Sequence, residues 1–228
     1  MLRTYFVPIN RAGWPFIAAL AVLTVVAAAY SQPLAWVGGL LTAWCTYFFR
    51  DPDRVVPTRE GLVVSPADGL VQTVGRASPP PELDMGERPY NRVSVFMDVF
   101  DVHVNRIPVS GRVVTCHYRP GKFVNASLDK SSEDNERQSI RLETPDGISL
   151  GVVQIAGLVA RRIICELAPG QEVTVGRRFG MIRFGSRLDV YVPEGVPILV
   201  MPGQHTYAGE TVLADLRSSE SPRPSEVC

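Results

Sequence analysis

The sequence predicts a mainly β domain of α+β class, a compact β-sandwich or partly closed barrel, preceded by an N-terminal apolar helical hairpin. Three observations lead there: two uncharged apolar runs fill the first fifty residues, short β-branched runs separated by Gly/Pro turns follow, and little helical periodicity appears beyond the first runs. The chain of 228 residues has room for one sizeable core and an appendage. The expected organisation is a membrane-associated hairpin over 1–50, a folded domain over 51–216 and a disordered Ser/Pro/Arg/Glu-rich tail over 217–228.

The first apolar run covers 12–30 without a charge, and after Ser31-Gln32-Pro33 the second covers 34–49. The first is near the roughly 20 residues that cross a bilayer, whereas the second, about 16 long, suits a thin bilayer or the interface. Arg3 and Arg11 precede the pair, Arg50 and Arg54 follow it, and the turn between is uncharged, so positive-inside bias puts both ends in the cytoplasm. No short apolar core followed by a small-residue cleavage site is evident, which favours a retained segment over a signal peptide. A buried helix pair in a soluble domain is the competing reading.

Beyond Asp51-Pro52-Asp53, strands are expected over 61–65, 70–75, 92–97, 111–118, 138–143, 149–155, 172–175, 187–192, 197–200 and 211–216. Turn chemistry at Pro66-Ala67-Asp68-Gly69, Pro145-Asp146-Gly147 and Pro193-Glu194-Gly195 separates some of them. The stretch 157–165 fits a short helix, although Ile163 and Ile164 equally suit a strand.

The 23 basic and 23 acidic side chains cancel, which argues against nucleic acid as a partner. Cys45, Cys116, Cys165 and Cys228 have neither C-x-x-C nor metal-type Cys/His spacing, so no metal site or disulfide framework is expected. Gly185-Ser186 is the junction with chemical promise. Glycine leaves its carbonyl open to a nucleophile and tolerates strained backbone, although a Gly-Ser pair alone is more often a turn.

The run from Gly176-Arg177-Arg178-Phe179 through Arg183-Phe184-Gly185-Ser186-Arg187-Leu188-Asp189 resembles the self-processing segment of the short bacterial and archaeal phosphatidylserine decarboxylases. Further matching segments occur in the family's order: Ser65-Pro66-Ala67-Asp68-Gly69, Asp101-Val102-His103-Val104-Asn105-Arg106, Pro120-Gly121-Lys122-Phe123, Asn135-Glu136-Arg137 and Ala156-Gly157-Leu158-Val159-Ala160-Arg161-Arg162-Ile163. Together they cover nearly everything from about residue 49 to 216.

The resemblance implies a proenzyme that cleaves itself between Gly185 and Ser186. Fragments 1–185 and 186–228 then stay together as a heterodimer, open to higher oligomers. Ser186 becomes a covalent pyruvoyl group, the only cofactor expected. That group forms a Schiff base with phosphatidylserine and yields phosphatidylethanolamine and CO2. The partners implied are a phospholipid substrate and the cell membrane, with the catalytic domain on its cytoplasmic side.

Resemblance also suggests His103, oriented by Asp68, as the base near Ser186. Alternation puts Asp101, His103 and Asn105 on one face if that run is extended. Longer relatives have a second histidine where this chain has Arg106; either His103 serves both self-cleavage and decarboxylation, or Arg106 holds the substrate carboxylate or phosphate while another group takes the proton. Lys122, Arg137, Arg161 and Arg162 are the other cations considered for the headgroup; the matched motifs favour Arg161 and Arg162 most, and these could equally be structural, pairing with nearby acids. Glu210 is family-like without an assigned role, and His117 and His205 stay outside the catalytic set. An archaetidylserine-type decarboxylase would share these motifs. A serine hydrolase lacks its usual Gly-x-Ser-x-Gly elbow here, and a membrane-anchored non-enzymatic β module would carry Gly-Ser as a simple turn.

Overall fold

A computed structural model describes residues 7–86, 88–121, 135–157, 162–183 and 185–220. The chain divides into two compact units, Met1–Asp53 and Arg54–Cys228.

In the first unit a 3-10 turn at Arg11–Gly13, capped by the Asn10 side chain, leads into α1 (Trp14–Tyr30) and α2 (Gln32–Phe48). Ser31 alone, in extended conformation, separates the helices, which is tighter than the expected three-residue turn. Pro33 lies in the first turn of α2, where its missing N–H leaves no helical hydrogen bond unmade. Thr24 and Thr42 hydroxyls meet across the pair at 3.2 Å. Among the described residues, Arg11–Tyr30 is the one helix long and apolar enough to cross a membrane. At the base of the hairpin the Asp51 N–H donates to the Pro8 carbonyl (2.7 Å) and Phe16 stacks on Phe49 (5.6 Å between centroids).

The second unit contains β1 (Leu62–Val64), β2 (Gly69–Ala77), β3 (Tyr90–Met97), β4 (Val104–Arg106), β5 (Gly111–Arg119) and β6 (Arg137–Glu143). There follow β7 (Ser149–Ala156), β8 (Ile163–Cys165), β9 (Glu172–Val173), β10 (Arg178–Ile182), β11 (Ser186–Pro193), β12 (His205–Thr206) and β13 (Val212–Asp215). Eight form one antiparallel sheet in the order β12-β2-β3-β11-β7-β6-β5-β9, curled into a half-barrel. A three-stranded sheet β4-β10-β8 and the pair β1-β13 accompany it. The partly closed barrel is thus the arrangement adopted.

The sequence of β11 explains its central place. Leu188, Val190 and Val192 alternate onto one face and join the main core with Val93, Val95, Val152 and Leu150. Each such side chain contributes about 1.5–3 kcal/mol when fully buried. Arg187, Asp189 and Tyr191 fall on the other face. There the Arg187 guanidinium grips Asp189 through two hydrogen bonds (2.9 and 3.0 Å), and Tyr191 packs with Leu83, Val153 and Ile155.

Three differences from the sequence reading have local causes. Residues 163–165 form a strand, not the end of a helix, because Ile163 and Ile164 pair with Ile182 and Met181. Residues 197–200 reduce to an isolated bridge between Ile198 and Ala214. The unanticipated β10 contains Gly180, whose missing side chain lets β8 approach: a Cβ there would collide with the Ile164 carbonyl.

Candidate active site at the Gly185–Ser186 junction

Ser186 opens β11 and is fully buried, directly opposite Met97 of β3 and Ala156 of β7. It belongs to the core-facing set with Leu188, so its hydroxyl stands at the end of the half-barrel's inner face. Gly185 just before it has φ +65°, a left-handed conformation that glycine adopts without steric cost. Among the described residues, no atom would lie within 4 Å of a Cβ at Gly185, so they leave that side of the junction open.

Beneath the serine lies a small polar cluster in an apolar wall. Its Oγ is 4.0 Å from the Met97 sulfur, which also accepts from Asn105 Nδ2 at 3.7 Å. Asn105 Oδ1 in turn accepts from Gln154 Nε2 at 2.8 Å, and Gln154 Nε2 reaches the Ile164 carbonyl at 3.4 Å. Met97, Asn105 and Gln154 are all fully buried. This network ties β3, β4, β7 and β8 around residue 186. Gln154 was missed from the sequence, although a glutamine in the buried run Val152-Val153-Gln154-Ile155 is an anomaly that marks it.

His103 is fully buried just before β4. Its Nδ1 lies 3.0 Å from the Asp101 carbonyl, an arrangement in which Nδ1–H donates and Nε2 carries the lone pair. The Ile182 N–H donates to the His103 carbonyl at 3.4 Å, linking this segment to the strand that runs into the Gly185–Ser186 junction. The Asp101 carboxylate meets His205 Nε2 at 2.9 Å, so His205, outside the expected set, supports the loop carrying His103.

Asp68 makes other bonds than the one to His103 that the sequence reading gave it. Its Oδ2 accepts from Arg54 at 2.6 Å and its Oδ1 from the Ala208 N–H at 2.7 Å. Burial pushes its carboxyl above the usual range, ahead of the opposing pull of Ala208 and Arg54. The orienting role toward His103 Nδ1 falls to the Asp101 carbonyl.

Arg106 is buried, with Nη1 donating to the Gly176 carbonyl at 2.9 Å. Asn105, its neighbour, joins the cluster under Ser186. Lys122 and Arg161 lie outside the described residues, and Arg162 is exposed immediately before β8. Arg183, also missed, precedes the junction by two residues; burial and the nearby Arg162 charge lower the affinity of its guanidinium for its proton. Arg183 and Arg162 thus lie close enough to feel one another's charge.

The other matched segments support the site from behind. Asn135 Nδ2 donates to the Ala156 carbonyl at 2.7 Å, holding the residue opposite Ser186. Arg137 grips Glu82 at 2.7 and 2.9 Å, with Ser139 adding a third bond at 2.9 Å. A cavity of about 320 Å³ occurs elsewhere, lined by Gly61, Ser110, Thr144 and Asp146 near the far end of β6. Its charges are engaged in ion pairs, Arg217 with Glu60 and Asp146 and Arg59 with Asp215. Among the described residues no group of three or more His, Cys, Asp or Glu side chains is placed to hold a metal ion.

Comparison with known proteins identifies the family. The family model described as phosphatidylserine decarboxylase matches residues 41–214. A phosphatidylserine decarboxylase proenzyme of Paramagnetospirillum magneticum is 61% identical over 220 residues, covering 96% of this chain and 92% of the relative. The proenzymes of Cereibacter sphaeroides and Nitrobacter winogradskyi are 58% and 53% identical, covering 98% and 96% of this chain and 96% and 89% of their own lengths. The chain belongs to the phosphatidylserine decarboxylase family of enzymes.

Proposed function

We propose that the chain is a proenzyme that cleaves itself between Gly185 and Ser186 and then converts phosphatidylserine to phosphatidylethanolamine and CO2. The observation that carries the reading is the junction itself: a buried serine heading the central strand, preceded by an open, left-handed glycine. The relatives' printed description as proenzymes supports the same reading.

In the cleavage step Ser186 Oγ attacks the Gly185 carbonyl, the peptide C–N bond breaks, and the chain is held by an ester. Loss of the Ser186 α-proton expels the Gly185 carboxylate and leaves a dehydroalanine. Tautomerisation to the imine and addition of one water release ammonia and leave a pyruvoyl group at position 186. His103, with Nδ1 engaged by the Asp101 carbonyl, supplies a lone pair at Nε2 for these proton transfers. Buried Asp68 ties Arg54 to the Ala208 turn and contributes through that framework.

The surroundings fit the smaller, nitrogen-free group: Met97 and Ala156 flank residue 186, and the Asn105–Gln154 amides fix the wall beneath it. A pyruvoyl group supplies an electrophilic ketone that accepts the electrons released with CO2. His103 holds the proton to be returned, and burial keeps bulk water from the reacting carbon. Arg162 and Arg183 favour the phosphate and carboxylate of the headgroup, with Arg106, Lys122 and Arg161 as further candidates. Fragments 1–185 and 186–228 stay joined because β11 pairs along its length with β3 and β7. The helix Arg11–Tyr30 supports membrane attachment, with the catalytic unit on the cytoplasmic side.

The test is direct. Purified protein given phosphatidylserine should release CO2 and phosphatidylethanolamine in equal amounts, and hydroxylamine, which captures ketones, should abolish turnover. Activity that survives hydroxylamine, or an active Ser186→Ala variant, would overturn the mechanism.

A further inference from the structure

The register of the large sheet gathers particular loops at one end. Ser186 begins β11 where β3 ends at Met97 and β7 ends at Ala156. The start of β2 lies there too, since Leu70 pairs with Phe96 and His205. So does the end of β5, because Tyr118 pairs with Gln138 and Arg137 pairs with Ile155.

Exposed apolar side chains concentrate at that same end. Of the seven exposed large hydrophobic residues described in the second unit, Leu70, Val99, Phe100, Tyr118 and Tyr207 surround the site end; Val55 and Val114 are the exceptions. The five are between 38% and 61% exposed, Phe100 most of all. A soluble surface scatters such residues singly, whereas apolar groups gathered around a functional opening mark an interaction surface.

The turn carrying Val99 and Phe100 is built to present them. The Phe100 N–H donates to Asp98 Oδ1 at 2.6 Å, the Asp98 N–H to Asp101 Oδ2 at 2.9 Å, and the Asp101 N–H to the Asp98 carbonyl at 3.2 Å. These backbone donors are therefore satisfied within the turn, which lowers the penalty for moving it out of water. Asp101 is also held by His205, whose ring lies 5.2 Å from that of Tyr207. Tyrosines with an apolar body and a polar tip suit a lipid–water boundary, exposed Arg162 adds a cation before β8, and the carboxylates of Asp98 and Asp101 are engaged by the Phe100 and Asp98 N–H groups.

We propose that this end of the catalytic unit is a bilayer-docking rim, with the Val99–Phe100 turn entering the lipid interface at the end of the sheet where Ser186 lies. The occupant is an anionic phospholipid surface. The inference rests on the reading that the substrate is a membrane phospholipid, and explains how a headgroup reaches a buried reacting centre: the rim meets the bilayer while the headgroup rises into the protein.

Two measurements on the full-length protein test it. First, a photoactivatable benzophenone analogue of phenylalanine replaces Phe100, and the protein is reconstituted in bilayers of phosphatidylserine and phosphatidylcholine. Irradiation should leave a lipid adduct on the peptide containing position 100; no lipid adduct, or a protein adduct instead, overturns docking whether or not the enzyme turns over. Second, V99S/F100S should lose about tenfold in kcat/KM on vesicle phosphatidylserine, equivalent to about 1.4 kcal/mol, while dispersed short-chain phosphatidylserine is decarboxylated within about twofold of wild type. Self-cleavage should be complete, and Phe100→Leu should restore vesicle activity. Equal losses on both substrates, or no loss on either, would overturn the proposal. A wild-type protein inactive on both substrates would instead strike at the decarboxylase reading, with lipid crosslinking still deciding docking.

Discussion

Gly185→Ala separates the room available at the cleavage junction from the backbone conformation required there. An alanine Cβ would meet no atom of the described residues within 4 Å, so collision with them contributes nothing. What remains is φ +65°, a left-handed conformation that costs an L-residue about 1–2 kcal/mol. The variant relieves that strain by leaving the conformation, and the population presenting the Gly185 carbonyl to Ser186 falls about 5- to 30-fold. Self-cleavage should slow by that factor and still yield the same downstream fragment. The assay is a time course of intact mass after a short pulse of synthesis, with melting temperature confirming the fold of the uncleaved chain. Gly185→Asn should recover part of the rate, since asparagine tolerates the left-handed region better than alanine. Alanine cleaving as fast as glycine, or asparagine more slowly than alanine, would refute the conformational reasoning.

Glu82→Ala removes the carboxylate that Arg137 grips behind the sheet and should destabilise the protein by about 3–5 kcal/mol, read from the denaturant midpoint. Burial pushes the Glu82 carboxyl up, but its hydrogen bonds, with Arg137 first, outweigh that and hold it below the usual range. Its stabilising contribution is therefore present at neutral pH and lost as pH falls through the folded-state value; Glu82→Gln should flatten this acid limb of a thermal-melt series. Asp68 has the opposite sign. With its folded-state value raised, chiefly by burial, its contribution is complete below the ordinary carboxylate range and declines as pH rises through the folded-state value, a slope that Asp68→Asn should remove. Cys116 lies 3.9 Å from Cys165, whose hydrogen bond pulls the Cys116 thiol down to about 7 against the effect of burial. Peptide-mapped alkylation should modify Cys116 before Cys165, at a rate rising through about pH 7; Cys165 reacting first would contradict that assignment.

Much of the fold was legible because its main strands announce themselves by alternation. Leu188, Val190 and Val192 against Arg187, Asp189 and Tyr191 give β11 directly, and the Pro145-Asp146-Gly147 turn separates β6 from β7. The short strands were less visible. Two-residue β12 carries too little periodicity to read, β9 is shorter than the expected 172–175, and β10 contains a glycine that ordinarily argues against a strand. Only long-range packing against β4 and β8 gives β10 its place.

The site divides in the same way. Gly185, Ser186 and His103 came from motif resemblance, since spacing alone made Gly-Ser an ordinary turn and left His103 a packed histidine. The polar alternation Asp101, His103, Asn105 was visible, but the partnership of Asn105 with Gln154 joins residues 49 positions apart. Asp68 went to Arg54 and Ala208 because two neighbouring chain segments reach its oxygens, a choice no local pattern encodes. His205 finds Asp101 across 104 positions for the same reason.

The most direct test of the central claim is the intact mass of the purified protein beside Ser186→Ala. Two fragments meeting at Gly185/Ser186 are predicted, the downstream one lighter by one ammonia than a peptide beginning with serine, with the variant remaining a single uncleaved chain. A single full-length mass in well-folded, catalytically active wild-type protein would contradict the account.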